Sequence, residues 1–249
     1  DEGGLYLLIR PDGARYWRFK YRFAGRERLL ALGVFDDVTL AEARARRDDA
    51  KHQRRFADPI LTEIVRNGVL AVTEEMKINL TRTAYNPIIY EALDFTTGLF
   101  TAEGETVSIG LGLPSFIRGM SNTIKAMREH FARIGPGIGI EADDILVTND
   151  AYTTGSHLYH FTFAKPVFQG SKLCGFVCCM AHWADIGAAL NIVTRDIYSE
   201  GLQVPILKLF NAGRRNEDLV EILLMNVRIP ERALGDLSAQ VGAVRTGAS

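Results

Sequence analysis

Two apolar stretches joined by a tight turn constrain the fold of this chain more than any other feature of its sequence. Residues 161–168 and 172–181 are rich in Phe, Val and Cys, and Gln169-Gly170-Ser171 separates them. Short apolar runs bounded by a glycine-containing turn are typical of a β-hairpin. Because the two open ends of a hairpin lie side by side, we expect the residues before the first strand and after the second to meet at one rim.

Histidines and acids stand at both of those ends. His157-x-x-His160 precedes the first strand, and His182-x-x-Asp185 follows the second. Imidazole and carboxylate groups are the usual protein ligands of borderline divalent metals, so the pattern favours a metal-assisted hydrolytic site. The alternative is a set of loop histidines that only form local hydrogen bonds, because neither spacing is a complete known signature.

Composition is that of a globular protein rather than a membrane or secreted one. The 249 residues are 47% hydrophobic and 24% charged, with a net charge of −1. No apolar window is long enough to cross a membrane, and no leader precedes the first strand. Cys174, Cys178 and Cys179 are odd in number, and two of them are adjacent. This usage argues against a disulfide framework and indicates a reducing cytoplasm.

The near-zero net charge conceals two regions of opposite sign. Residues 1–57 hold 13 basic against 9 acidic residues, whereas residues 58–249 hold 16 against 21. Such a split indicates two units with different partners.

The first unit is predicted to be a small three-stranded antiparallel sheet followed by a helix. Residues 5–10, 16–23 and 26–32 form the strands, and Thr39 caps a helix over residues 40–53. In the second strand Trp, Phe and Tyr alternate strictly with Arg and Lys, so the aromatic rings face one side and the cations the other.

That basic strand face is either an ordinary solvated surface or a surface that binds nucleic-acid phosphates. The start GLYLLIR, the strand WRFKYRF, the strand RERLLALG and the helix LAEAR resemble the arm-type DNA-binding domain of phage-integrase-like tyrosine recombinases over residues 3–53. The resemblance implies an interaction with DNA, but nothing downstream resembles a recombinase catalytic domain. The candidate nucleic-acid-binding residues are Arg18, Lys20, Arg22, Arg26 and Arg28.

The second unit is predicted to mix helices and strands, which makes the whole chain α+β. Asp58-Pro59 begins an amphipathic helix that runs to about residue 85. Its apolar stripe is expected to face the core and comprises Leu61, Val65, Val69, Val72, Met76 and Leu80. Further helices are predicted over residues 115–133, 216–226 and 230–246, and strands over residues 94–100, 105–109, 144–148 and 204–209.

From residue 58 to the end, the sequence resembles the N-terminal portion of the B-type chain of the hydantoinase/oxoprolinase family. The matching segments are DPILTEIVRN, RTAYNPIIYEALDFTTGLFTAEGE, DILVTNDAYTTGSHL, AHWADIG, IYSEGLQVP and LLMNVRIPERALGDLSAQ. The resemblance implies an ATP-dependent hydrolase of lactams and cyclic imides. In that arrangement an A-type subunit phosphorylates the substrate carbonyl oxygen, and a divalent metal such as Zn, Mn or Fe is held by the B-type chain. Carboxylases that act on small ketones belong to the same group.

Carried over residue by residue, the resemblance implies the metal ligands Asp94, His157, His182 and Asp185, and gives Asp150 and His160 catalytic or orienting roles. Relatives commonly carry Asp where this chain has His160, so the site either loses a negative charge or is damaged. Asp150 has an alternative role as a cap of its loop, and Asp94 has one as a partner of a basic residue. Relatives are also commonly at least twice as long as residues 58–249, so we expect an incomplete domain, fused to the arm-like unit. The alternative function is a DNA-binding arm joined to an inactive passenger.

Overall fold

The computed structural model describes residues 3–23, 26–56, 59–113, 116–134, 139–189 and 196–249. Contacts divide the chain into two units, Asp1–Asn67 and Gly68–Ser249. Across the described ranges, no helix is both long and apolar enough to cross a membrane.

The first unit begins with the predicted antiparallel sheet. Its strands are β1 (Leu5–Ile9), β2 (Arg15–Phe23) and β3 (Arg26–Val34), in the order β1-β2-β3. Helix α1 (Leu40–Phe56) follows, and a capping box holds its start, because Thr39 Oγ1 accepts from the Glu42 amide while the Glu42 carboxylate accepts from Thr39 N. The predicted three strands and capped helix are confirmed.

The two faces of β2 differ in burial, as the alternation of aromatic and basic residues along this strand predicts. Trp17 and Phe19 are buried in a core that also holds Leu5, Leu32 and Val38, while Lys20 and Arg22 are exposed. The Trp17 indole also donates to Val38 O at 2.8 Å. The cations of β2 therefore lie on the face that the core does not use.

The long helix α2 (Pro59–Thr83) departs from the prediction in its first half. Met76 and Leu80 are fully buried, as expected, but Leu61 and Val65 are 53% and 54% exposed. The expectation that the whole stripe faces a core is therefore wrong for Leu61 and Val65. These two residues precede Gly68, where the second unit begins, and they make no part of the core clusters of either unit.

A seven-stranded sheet forms the centre of the second unit. In chain order its strands are β4 (Phe95–Thr101), β5 (Thr106–Leu111), β6 (Ile145–Thr148), β7 (His160–Gln169), β8 (Lys172–His182), β9 (Leu207–Asn211) and β10 (Arg214–Arg215). Their order in the sheet is β10-β9-β6-β7-β8-β4-β5, and every described pair is antiparallel. The α+β class is thus confirmed.

Helices cover both faces of this sheet. The remaining helices are α3 (Pro87–Tyr90), α4 (Ile117–Ile134), α5 (Ala151–Thr154), α6 (Glu217–Met225) and α7 (Pro230–Ala248). Helix α4 packs on the face that includes Phe176 and Cys178 of β8, whereas α2 and α7 share a core with Val177 and Cys179 on the other face. The short helices α3 and α5 were not predicted, because four residues contain too little periodicity to reveal a helix.

The predicted hairpin is confirmed and becomes the middle of the sheet. Strands β7 and β8 pair from Gln169↔Lys172 at the turn to His160↔His182 at the open end. Strand β4 pairs with the other edge of β8, beginning at Phe95↔Ala181. The start of β4, the start of β7 and the end of β8 therefore lie next to one another.

Candidate functional site

The ends of three neighbouring strands place candidate site residues at one edge of the sheet. His160 begins β7 and lies directly opposite His182, the last residue of β8. Asp94 immediately precedes β4, and its backbone oxygen accepts from His182 N at 3.1 Å. Before β7, Gly155 ends helix α5 with φ of 70°, a left-handed conformation that suits glycine. The chain then turns so that His160 N donates to His157 O at 3.2 Å.

The structure brings three imidazole rings and one carboxylate together at this edge. The ring centroids of His157 and His160 are 4.3 Å apart, those of His157 and His182 are 5.1 Å apart, and those of His160 and His182 are 5.0 Å apart. Asp94 Oδ1 lies 3.1 Å from His160 Nε2. We call Asp94, His157, His160 and His182 the histidine cluster.

His160 is the most enclosed member of the histidine cluster. Its side chain is 2% exposed, and the Phe116 ring packs against it with 4.4 Å between centroids. Its Nδ1 is 2.8 Å from Ser156 Oγ, so hydrogen bonds engage both ring nitrogens. Burial lowers the pKa of His160 to about 4, although the hydrogen bond with Asp94 acts in the opposite direction.

Burial favours the neutral form of the other two imidazoles as well. Burial lowers the pKa of His157 and of His182, while the negative charge of Asp94 acts against both shifts. His182 Nδ1 is buried and has no hydrogen-bond partner in the part of the chain that the structure describes. A buried polar atom without a partner is unusual and is accounted for when an ion or water binds it.

This donor set suits a divalent metal ion in its chemistry. Neutral imidazoles and a carboxylate are ligands for Zn, Mn or Fe, and His182 Nδ1 is a nitrogen without a competing partner among the described residues. In the present side-chain positions, however, no three His, Cys, Asp or Glu groups of the described ranges are arranged to hold an ion. The hydrogen bond between His160 and Asp94 provides a reason, because a metal would have to replace the proton that these groups share.

Asp185 and Asp150 have other partners in this structure. The Asp185 carboxylate accepts from Arg228 Nη1 at 2.6 Å, and it also accepts from the backbone amides of Arg228 and Gly187. These bonds engage both carboxylate oxygens of Asp185 with Arg228 and Gly187. Asp150 is the N-cap of α5, where its side chain accepts from Tyr152 N and Thr153 Oγ1. The capping alternative is therefore what the structure shows for Asp150.

Two neighbours of the histidine cluster have no counterpart in the sequence prediction. The Tyr159 ring stacks on the His182 ring, with centroids 5.2 Å apart and planes 20° apart. Burial lowers the pKa of His157 and raises that of Tyr159, and the negative charge of Glu200 opposes the first shift and adds to the second. Tyr159 lies inside the His157-x-x-His160 segment and could have been proposed as a site residue from the sequence. Nothing local in the sequence links Glu200 to the site.

Buried polar side chains hold the backbone around the histidine cluster. Gln240 of α7 accepts from Trp183 Nε1 at 2.8 Å and donates to Phe161 O at 3.0 Å. Trp183 and Phe161 each adjoin a histidine of the cluster. On the β4 side, Asn86 Nδ2 donates to His182 O at 2.7 Å. Asp236, one helical turn before Gln240, accepts from the amides of Tyr85 and Asn86.

At the N-terminal sheet, the five candidate nucleic-acid-binding residues do not share one face. Arg18 lies opposite Ala31 and Lys20 opposite Leu29, on the face that the core leaves free, whereas Arg28 lies opposite Tyr21. Because directly paired residues of an antiparallel ladder point to the same side, Arg28 belongs to the face of Trp17 and Phe19. Lys20 also forms an ion pair with Glu27 at 2.8 Å.

Comparison with known proteins extends these observations. The family model "Hydantoinase B/oxoprolinase" matches residues 58–249, and the model "Arm DNA-binding domain" matches residues 1–60. The chain is 32% identical over 194 residues to the beta chain of caprolactamase from Pseudomonas jessenii, which covers 76% of this chain and 32% of that protein. Putative protein IntB of Escherichia coli is 51% identical over 47 residues, or 19% of this chain and 12% of that protein.

Solved structures agree with this assignment. The crystal structure of the ATP-dependent caprolactamase from Pseudomonas jessenii superposes with a TM-score of 0.71 and 30% sequence identity, covering 78% of this chain and 33% of that chain. The matched region spans 32–34% of the length of three curated relatives and 15–17% of the length of four others, among them 5-oxoprolinases. Over residues 58–249 the chain belongs to the hydantoinase B/oxoprolinase family, and its N-terminal segment is similar to the arm DNA-binding domain model over residues 1–60.

Proposed function

We propose that residues 58–249 supply the metal-dependent part of an ATP-dependent cyclic amide hydrolase that works with an ATP-binding A-type subunit. The observation that carries this proposal is the convergence of Asp94, His157, His160 and His182 at one edge of the sheet. Two relatives, the caprolactamase beta chain and a putative D-/L-hydantoinase, are named as one subunit of an enzyme, which supports a division of labour with a second chain.

The histidine cluster would hold the metal through neutral imidazole nitrogens and the Asp94 carboxylate. A divalent ion bound there would polarise an amide carbonyl and lower the pKa of a water molecule. Burial prepares the ligands for this role, because it keeps the imidazoles unprotonated. Ser156, through its hydrogen bond to His160 Nδ1, would fix the ring so that Nε2 faces Asp94 and the centre of the cluster.

Two carboxylates at the histidine cluster would attract a positively charged ion before any metal is bound. Asp94 is the one carboxylate in direct contact with an imidazole of the cluster among the described residues, through its hydrogen bond with His160 Nε2. Glu200 adds a second negative charge near His157. We propose that these two carboxylates attract a cation to this edge of the sheet, where the Phe116 ring packs against His160.

Carboxylation of a small ketone is the alternative reaction that the family resemblance implies. A carboxylase component acting on a small ketone would use the same metal to bind a carboxyl species instead of water. Hydrolysis is favoured here because the relative with a solved structure at 30% identity is named a caprolactamase. Turnover of a lactam by the chain together with an A-type subunit and ATP, in the absence of bicarbonate, would separate the two reactions.

Metal titration of the full chain tests the proposal. After treatment with a chelator and its removal, the protein is titrated with Zn, Mn and Fe(II), and bound metal is counted by mass spectrometry. We expect one ion per chain and a loss of affinity of at least about 100-fold in His182→Ala and Asp94→Asn, because the loss of a ligand costs more than the loss of a residue that only orients one. His130→Ala, which removes a histidine of α4 outside the cluster, is the matched control. Failure to bind any of the three metals, or unchanged affinity in both cluster variants, would contradict the proposal.

The N-terminal sheet is a candidate for a second function, the binding of DNA. Arg18, Lys20 and Arg22 lie on the face that the core of this unit leaves free, and the similarity to IntB covers this region. We propose that this face binds duplex DNA through its phosphates, with Arg28 on the other face contributing little. Salt-dependent binding of the full chain to duplex DNA is the test, and its variants are given in the Discussion.

A further inference from the structure

A cavity of about 260 Å³ lies near the histidine cluster but is separated from it by the Tyr159 ring. That ring lines the cavity and stacks on the His182 ring, with 5.2 Å between centroids. No member of the histidine cluster is among the described residues that line the cavity. A molecule held there would therefore be recognised by groups other than those proposed above to bind metal.

Much of the cavity wall is apolar. Trp183, Ala188, Val227 and Ala233 supply aromatic and aliphatic surface, and Trp183 is almost completely buried. If one water-sized group takes about 30 Å³, the cavity has room for roughly nine of them. This size suits a small molecule with a short apolar body and is too small for a peptide.

Two of the four charged residues in the wall, Asp185 and Arg228, already bind each other. Arg228 Nη1 donates to Asp185 Oδ1 at 2.6 Å, and Arg228 Nη2 donates to Ala188 O at 2.6 Å. The backbone amides of Gly187 and Arg228 also donate to the Asp185 carboxylate. Because this pair is satisfied within the protein, it leaves recognition of a charged ligand to the other two residues.

The other two charged residues of the wall, Arg232 and Asp236, keep free hydrogen-bonding capacity. Asp236 is 2% exposed, and its Oδ1 accepts from the amides of Tyr85 and Asn86. Its Oδ2 accepts from no group in the described part of the chain, and the exposed Arg232 guanidinium forms no hydrogen bond or ion pair there. The cavity therefore offers one free carboxylate oxygen and one free guanidinium.

These two free groups lie close together but do not neutralise each other by direct contact. They are four residues apart on α7, a spacing that places side chains next to one another on a helix surface. Burial raises the pKa of Asp236, and the two amides and the positive charge of Arg232 act in the opposite direction. A buried carboxylate is costly unless a cation or donors compensate it, so an added cation at Oδ2 would be favoured.

We infer that this cavity is a binding site for a small α-amino acid with an apolar side chain. The ammonium group would donate to Asp236 Oδ2, and the carboxylate would accept from the Arg232 guanidinium. Both charges of an α-amino acid sit on one carbon, which matches two neighbouring side chains of opposite sign. The apolar side chain would lie against Trp183 and Val227. A molecule with only one of the two charges would leave Asp236 or Arg232 without a counter-charge.

Calorimetric titration of the metal-free full chain with leucine and two matched analogues tests this inference. 4-Methylpentanoate is leucine without its ammonium group, and 3-methylbutylamine is leucine without its carboxylate. We expect saturable binding of leucine and at least about tenfold weaker binding of each analogue, because hydrogen bonds between charged groups are lost. Ala189→Phe, which fills the cavity from an exposed wall position, should abolish leucine binding. Ala132→Phe, at an exposed position of α4, should not change it.

Charge variants assign each end of the ligand to its residue. Arg232→Gln should weaken leucine binding at least about tenfold and leave the affinity for 3-methylbutylamine as it is. Asp236→Asn keeps an oxygen for the amides of Tyr85 and Asn86 and should weaken leucine but not 4-methylpentanoate. Arg214→Gln, at an exposed position of β10, is the control and should change none of these affinities.

Four results would overturn the inference. They are the absence of saturable leucine binding, binding of either analogue as tight as that of leucine, leucine binding that persists in Ala189→Phe, and an unchanged leucine affinity in Arg232→Gln. The comparison of analogues uses the unchanged chain, so it decides the matter even if a variant fails to fold.

These outcomes are separable from those of the metal experiment. Because the titrations use metal-free protein, a chain that binds metal at the histidine cluster but ignores leucine would retain the proposed function and lose this inference. A chain that binds leucine in the cavity but takes up no metal would show the reverse.

Discussion

His160 and His182 face each other as a directly paired couple at the open end of the β7–β8 ladder. Their rings meet edge to face, with centroids 5.0 Å apart and planes at 87°. The backbone pairing therefore sets the distance between two members of the histidine cluster, and loop conformation has little influence on it. His157 and Asp94 join this couple from the turn before β7 and from the start of β4.

Acid is expected to destabilise the metal-free protein because the cluster imidazoles are buried in their neutral form. Burial lowers the pKa of His160 to about 4, from about 6.5 in an unfolded chain. Between these values the unfolded state binds a proton that the folded state does not, so the free energy of unfolding falls as pH falls. One such histidine contributes a slope of up to about 1.4 kcal/mol per pH unit. Above about pH 6.5 this contribution is constant.

Urea unfolding of the chelator-treated full chain at several pH values between about 7 and 4.5 measures that slope. His160→Gln, which keeps a polar side chain without a titrating ring, should make the dependence shallower. His130→Gln on α4 should leave the slope as it is in the unchanged chain. A slope that His160→Gln does not alter would show that His160 is not the group responsible.

Gln240 is expected to be a major contributor to the stability of the second unit. Gln240→Leu removes the bonds to Trp183 Nε1 and Phe161 O and leaves the buried indole N–H without its partner. We expect a loss of about 2–4 kcal/mol in the free energy of unfolding, measured by urea denaturation. Ser238→Ala, two residues earlier on the same helix and exposed, should cost less than about 0.5 kcal/mol. Similar losses in both variants would contradict a special role for Gln240.

Asn86 is expected to position His182 as well as to begin helix α3. Its Nδ2 donates to His182 O at 2.7 Å, and its Oδ1 accepts from Ile88 N at 3.1 Å. Asn86→Ala should lower the free energy of unfolding by about 1–3 kcal/mol, since both bonds are lost. It should also weaken zinc binding, which a purely structural role at α3 would leave intact. Asn79→Ala, which removes a hydrogen bond to Thr246 at 3.2 Å, is the control and should not change zinc affinity.

DNA binding by the full chain should depend on one face of the N-terminal sheet. Replacement of Arg18, Lys20 and Arg22 with Ala should weaken binding and reduce the slope of log affinity against log salt by roughly 0.9 for each phosphate that is no longer neutralised. Arg28→Ala combined with Arg44→Ala removes exposed positive charge elsewhere in the same unit and should have a much smaller effect per charge. Equal effects per charge in the two variants would indicate a general electrostatic attraction and no defined binding face.

Much of the architecture follows from local sequence patterns. The strict alternation of aromatic and basic residues in β2 predicts which side chains are buried, because successive strand residues point to opposite faces. The turn Gln169-Gly170-Ser171 predicts the β7–β8 hairpin, and with it the meeting of His160 and His182. These features depend on neighbours within a few residues, so periodicity and turn chemistry are sufficient to reveal them.

The partners of Asp94 and Asp185 were decided by tertiary structure alone. Asp94 meets His160 across a separation of 66 residues, and Asp185 pairs with Arg228 across 43. The His182-x-x-Asp185 spacing makes Asp185 look like a metal ligand. In the structure, however, its carboxylate binds the guanidinium of Arg228, in the segment before α7. No local pattern encodes such a choice, because two charges far apart in sequence interact only after the sheet and helices have placed them together.

The partial exposure of helix α2 shows the same difference between what a local pattern predicts and what tertiary packing decides. An apolar stripe recurs along its whole length, but only the part that reaches the seven-stranded sheet, including Met76 and Leu80, is buried. Periodicity shows that a helix has an apolar face, whereas the surface that covers that face depends on where other elements lie. The sequence thus determined the longer helices, most of the strands, the hairpin and the family of the larger unit. Tertiary structure decided which acid joins the histidines, because that contact links residues that are remote along the chain.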